Sequence, residues 1–213
     1  MSINYLEHLK KQKRQIIFVT VFLAMLFLGV SFLEPLEYSG TVRLLVIEKI
    51  SPVVDPYTAL KSAERVGVNL ANIISTSSFF DKILRAGYNI DLSYFKSDEN
   101  KKRKQWEEMT DARTVPGTGF LTVTVYHPDR DQANQISQAI AYTLATRARD
   151  YVGSEIDVRV VDLPLVSRFP VKPNLFFRFA AGLFLGFILS GGLIIYRVRR
   201  KVKAVAHNER PSY

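Results

Sequence analysis

Two long uncharged runs bracket a middle segment in which apolar residues recur with a period. The first run, Ile16 to Leu33, has 18 residues without a charge, and its only polar side chains, Thr20 and Ser31, can bond back to a helix backbone. The second, Leu175 to Tyr196, carries one charge, Arg178 near its outer end, which can snorkel toward headgroups. Each run approaches the roughly 20 residues a helix needs to cross hydrocarbon, and neither has the polar stripe of a soluble helix. Two alternatives stand beside a pair of membrane spans: a buried hairpin of soluble helices, and, for the first run, a cleaved secretory signal. Against the signal, the run outlasts the about 7 to 15 residues of a signal core, and FLEPLEY follows it in place of a small-residue cleavage site. Within the second run, Gly182, Gly186 and Ser190 share one helical face at four-residue spacing. Such a stripe lets another helix approach closely, although glycine is also frequent in membrane helices generally.

Between the runs the period changes from element to element. Thr41 to Glu48 alternates, with Val42, Leu44 and Val46 on one face, and predicts a strand. After the break at SPVVDP, the stripe Leu60, Ala63, Val66, Leu70 and Ile73 predicts a helix from Tyr57 to about Ser77. A short helix over Phe79 to Ala86, stopped at Gly87, follows. Ser97 to Arg113 is dense in both charges and predicts a solvated helix, with Trp106 either its anchor or a contact to a neighbouring subunit. Phe120 to Tyr126 alternates strictly, with Leu121, Val123 and Val125 on one face. Asp129 or Asp131 then caps a helix whose stripe is Ala133, Ile136, Ile140 and Leu144. Ile156 to Asp162 is the last predicted strand. The expected fold is α+β: one sheet covered by helices in a ferredoxin-like or split βαβ arrangement, flanked by two transmembrane helices.

Charge converts this pattern into a topology. The formal net charge is +9. Residues 1–15 hold Lys10, Lys11, Lys13 and Arg14 against Glu7, and residues 197–213 hold six basic residues against Glu209. The 141 residues from Glu34 to Asn174 are balanced, 18 basic to 18 acidic. Basic flanks outside both runs put both tails in the cytoplasm and the middle outside, as two spans require. The expected order is thus a basic tail at 1–15, a span at 16–33 and an extracytoplasmic domain at 34–174 with a proline-rich exit at 164–174. A span at 175–196 and a basic tail at 197–213 complete it. A neutral outer domain also removes nucleic acid as an expected partner. The chain has no cysteine.

No grouping of catalytic residues stands out. His8, His127 and His207 fall in a tail, an outer turn and the other tail, and His127 before Pro128 reads as a turn or surface residue. Glu107 and Glu108 are neighbours in sequence and diverge on a helix. GxxxxGK[ST], GxSxG and HExxH are all absent. The expectation is a protein that is not an enzyme, with no catalytic, cofactor-binding or metal residues.

The order of basic tail, span, strand and helices, then FLTVTVYHPDRDQANQISQAIA, a strand ending VRVVDLP, and FPVKPNLFFRFAAGLFLGFILSGGL resembles the polysaccharide co-polymerase family, the Wzz-type chain length determinants. The most specific piece is the proline-rich approach to the second span. Pro170, Pro173 and Asn174 match it, as do Gly182 and Gly186 within the span. Ser167 stands where the family's first proline would be, and Pro164 is displaced by three residues. The domain is short and has no kinase after Tyr196, which is similar to the compact adaptors found beside separate tyrosine kinases. The resemblance implies a homo-oligomer in a bacterial inner membrane, near a polysaccharide polymerase or lipid-linked glycan, setting how long the polymer grows. A cytoplasmic tyrosine kinase is a second implied partner. Arg197, Arg199, Arg200, Lys201 and Lys203 are then candidate contacts to it or to membrane lipids, and Tyr213 a candidate phosphorylation site. Lys172 and Arg168, beside the outer surface, are candidates for a lipid phosphate or for ordinary interfacial anchoring.

Overall fold

The computed structural model describes residues 12–48, 55–153 and 156–208. The chain divides into two compact units, one made of Met1–Pro35 with Pro173–Tyr213 and the other of Leu36–Lys172.

The first unit is a pair of helices, α1 (Lys13–Ser31) and a long C-terminal helix, Leu175–Asn208. Both contain a stretch long and apolar enough to cross a membrane, Lys13–Ser31 and Leu175–Arg197. Their large apolar side chains point outward: Phe18, Phe22, Met25, Phe176, Phe184 and Phe187 are each about 60% exposed or more. A helix from a soluble core would bury that surface.

The second unit begins with β1 (Tyr38–Glu48). Next come α2 (Pro56–Ile74) and α3 (Ser77–Leu84). The Asp55 carboxylate accepts hydrogen bonds from the Tyr57 and Thr58 amides, and Pro56 occupies the first helical position, where a missing N–H costs nothing. Thr76 caps α3 by accepting from the Phe79 amide, so α2 ends at Ile74, before the expected end at about Ser77, and α3 begins at Ser77, two residues before its expected start. Leu60 is exposed, and Ile74 takes the buried place expected for Ile73.

After a turn of 3₁₀ helix at Leu92–Tyr94, the charged stretch divides into α4 (Glu99–Met109) and β2 (Thr110–Thr114). This corrects the single solvated helix. Trp106 is fully buried, its indole N–H donates to the Ile74 carbonyl at 2.7 Å, and its ring packs on Phe80. It therefore anchors α4 in its own domain and is not a contact to another subunit.

β3 (Phe120–His127) leads through α5 (Arg130–Arg147), capped by Asp129, and the short α6 (Arg149–Val152) to β4 (Ile156–Val166). The last helix of the chain, Leu175–Asn208, is α7. The sheet order is β2-β3-β1-β4 and every neighbouring pair is antiparallel. β3 and β4 therefore run parallel, with β1 between them and α5 joining them. Val42, Leu44 and Val46 of β1 and Leu121, Val123 and Val125 of β3 form one buried face. α2 and α5 both pack on it, and the result is a single apolar core. The opposite face is polar, with Thr41 bonded to Thr124 across the strands and Arg43 paired to Asp162. β1 can lie flush on α5 because Gly40 has no side chain: a Cβ there would sit 2.5 Å from the Ala133 carbonyl oxygen.

Candidate functional site

In the helix pair, the glycine stripe of α7 faces α1. A Cβ on Gly182 would fall 2.8 Å from Ala24 Cα, and one on Gly186 would fall 2.7 Å from Thr20 Cα. Ser190 is buried one turn further on, its hydroxyl donating to the Phe187 carbonyl, and Ile194 is buried in the next. The small residues thus seat the chain's own first helix, so their face is filled from within. Gly191 and Gly192 meet nothing. At the other end of the pair Arg178 forms an ion pair with Glu34, and its guanidinium has a protein partner as well as any headgroup it reaches.

The segment leaving the sheet is held residue by residue. β4 runs four residues past the predicted end, so Pro164 lies within the strand and not in the exit linker. It is tolerated there because β4 is an edge strand and can spare one N–H. Ser167 then donates its amide to the Ser39 carbonyl at 2.8 Å, while its hydroxyl accepts from the Ser39 amide at 3.0 Å. Pro170 and Pro173 flank the two residues whose amides are used: Val171 and Lys172 both donate to the Glu37 carbonyl, and Glu37 donates back to Lys172. Asn174 caps α7, its Oδ1 accepting from the Phe177 amide at 3.0 Å. Every N–H that the prolines omit is one the pairing does not need.

Lys172 is engaged inside its own domain. Its ammonium lies 3.5 Å from the centre of the Tyr126 ring, 3.5 Å from Glu37 Oε2 and 3.4 Å from the Glu108 carbonyl. Arg168 is exposed beside Phe169. His127 ends β3 on the buried face, against the Tyr94 ring, with Nδ1 accepting from the Asp129 amide at 2.9 Å. It is a core residue, which corrects the expected surface position; the alternation of β3 continues one position further than predicted. Burial pushes its imidazole below the ordinary value, although Asp129, Glu37 and Asp91 pull the other way. Burial likewise pushes the Tyr94 and Tyr126 hydroxyls up.

The strand extension also creates a surface not expected from the sequence. Beyond Asp162, Leu163 is 83% and Leu165 78% exposed on the free edge of the sheet. Leu163 and Pro164 line an open groove with Val160, Ala141, Tyr142 and Tyr88. The signal was present in VVDLPLV, whose alternation is interrupted by a bulge opposite Thr41–Leu44 and then resumes.

At the basic end of the helix pair, Arg197 and Arg200 are exposed on α7, which continues as helix to Asn208. The side chains of Arg199, Lys201 and Lys203, together with Lys10, Lys11, His8 and Tyr213, lie outside the described ones. Among the described residues no three His, Asp or Glu side chains gather as metal ligands. The chain matches no protein-family model and no curated protein sequence.

Proposed function

We propose that this chain is a non-catalytic membrane scaffold that regulates chain length during polymerisation and export of a lipid-linked surface polysaccharide, whether capsule, O-antigen or exopolysaccharide. The observation that carries the proposal is the run from Ser167 to Gly186. It resembles the corresponding run of the polysaccharide co-polymerases, and each of its residue types has a physical role. The extended chain is paired, the prolines fall where no N–H is used, Asn174 caps the helix and the glycines open a face.

Both helices crossing a bacterial inner membrane, with cytoplasmic tails and Leu36–Lys172 outside, is the topology that follows from the basic flanks. The seat that Gly182 and Gly186 make for α1 favours a retained first helix over a cleaved signal. The ferredoxin-like, split βαβ reading of the domain is supported by the order β2-β3-β1-β4 and by the α5 crossover between two parallel strands.

A homo-oligomer is supported by two unlike surfaces, one at the free edge of the sheet and one on a covering helix. One is the β4 groove with Leu163. The other is the outer face of α2, where the exposed Tyr57, Leu60 and Val68 flank the Lys61–Glu64 ion pair, on the helix that packs over β2. Unlike surfaces suit head-to-tail contacts that close into a ring.

The deciding experiment is deletion of the gene followed by sizing of the surface or lipid-linked polysaccharide on a gel. A shifted length distribution, restored by the intact gene, is expected; an unchanged one overturns the proposal. The second reading is a membrane adaptor that binds and activates a separate cytoplasmic tyrosine kinase. The helical continuation of α7 beyond its apolar stretch favours it. Kinase recovery should fall when residues 1–15 and 197–213 are removed, and undiminished recovery refutes binding through the tails.

A further inference from the structure

The two ends of the helix pair treat charge differently. At one end Arg178 is neutralised by Glu34. At the other a crevice of about 390 Å³ opens between α1 and α7, lined by Arg14, Gln15, Phe18, Val19 and Arg197. Two guanidiniums, one from each helix, border this crevice, and among the described residues neither is paired with a carboxylate.

Bringing two like charges to one crevice is unfavourable unless an anion sits between them, and guanidinium forks fit phosphate oxygens two at a time. The floor of the crevice selects among phosphates. Phe18 and Val19 are apolar, and the Phe18 ring stacks on Phe22 one turn further along α1, 6.5 Å away, with both rings exposed. The site therefore offers cations above a continuous apolar strip, which matches an amphiphile better than a soluble anion. Basic pockets between membrane helices are known to collect acidic headgroups.

We propose that Arg14 and Arg197 clamp the phosphate of one anionic phospholipid, whose acyl chain lies along Phe18 and Phe22. Gln15, which also lines the crevice, adds a neutral donor. The inference rests on both helices lying in a bilayer and not on the polysaccharide reading, so the two can fail separately. A chain-length phenotype would be unaffected by loss of this lipid unless the lipid also stabilises the fold.

The test uses the full chain, extracted from membranes in mild detergent and examined by native mass spectrometry with added phosphatidylglycerol or phosphatidylcholine. The intact protein should retain phosphatidylglycerol preferentially; equal retention of the two overturns the proposal without any variant. Arg14→Gln and Arg197→Gln should each lower retention of phosphatidylglycerol about fivefold, and both together about 25-fold. Arg200→Gln, on the same helix but outside the crevice, should stay within about twofold. A loss at Arg200 equal to that at Arg197 would mean that general positive charge gathers the lipid, and would overturn the clamp. Displacement of the lipid by glycerol phosphate at similar concentration would make this a soluble-phosphate site and overturn the acyl-chain assignment. Resistance of each variant to alkaline extraction from membranes verifies insertion.

Discussion

Ser167 is tied to the start of β1 through both its backbone and its side chain. Its amide and its hydroxyl both serve Ser39, and a proline there would remove the donor and leave the Ser39 amide without its acceptor. Ser167→Pro should therefore destabilise the domain by about 1–3 kcal/mol, and hydrogen exchange at the Ser39 amide should accelerate. An unchanged unfolding midpoint would show that the pairing contributes little. His127 supplies a pH dependence. The unfolded imidazole titrates near 6.5, whereas burial holds the native group lower. The unfolded chain therefore binds the extra proton first as pH falls. Its contribution is complete above about pH 6.5 and is lost as pH drops through the native value. Denaturant midpoints of the wild type should decline across that window, and His127→Gln should flatten the decline. The carboxylates held low by hydrogen bonds, Asp55 by Thr58 and Asp91 by Ser93, act only at more acidic pH.

Among elements, the helix pair gives the sharpest contrast. Gly182→Val and Gly186→Val each place atoms within 3 Å of the α1 backbone, whereas Gly191→Val and Gly192→Val extend into open space. The first two should lower thermal stability of the detergent-purified chain by an overpacking cost of about 1–3 kcal/mol, and the second two should leave it unchanged. Equal effects would refute the seat. The pattern of apolar positions decides which elements could be read from the sequence. The two apolar helices were legible from their long apolar runs, and β1, β3 and α5 with its Asp129 cap from their strong period. β2 was not, because TDART has no apolar alternation; it is a strand only because its backbone pairs with β3. The second half of β4 was hidden by Asp162 and Pro164, which an edge position accommodates. Whether Trp106 anchored α4 or met another subunit was open in the sequence because charged and polar residues surround it, and only the tertiary contact with Phe80 and Ile74 decides its side. At the candidate site, the glycine stripe and prolines were visible, but not their partners Ala24, Ser39 and Glu37, which lie more than a hundred residues away in sequence.

At the scale of the whole molecule, the distribution of sticky surface divides the work. The glycines of α7 are occupied by α1, so the proposed assembly between chains would use the β4 groove and the outer face of α2. Leu163→Asp should reduce the oligomer seen by light scattering in detergent toward a single chain while leaving the circular dichroism unchanged. Retention of the wild-type size would remove this flank from the interface. A further consequence lies in the backbone pairing of Glu37 with Lys172, which brings the two ends of the domain together. A short linker can join these ends, and the turn at Gly117, which already adopts a positive φ of 71°, can be opened instead. The domain should tolerate being circularly permuted and detached from its helices as a free-standing cassette.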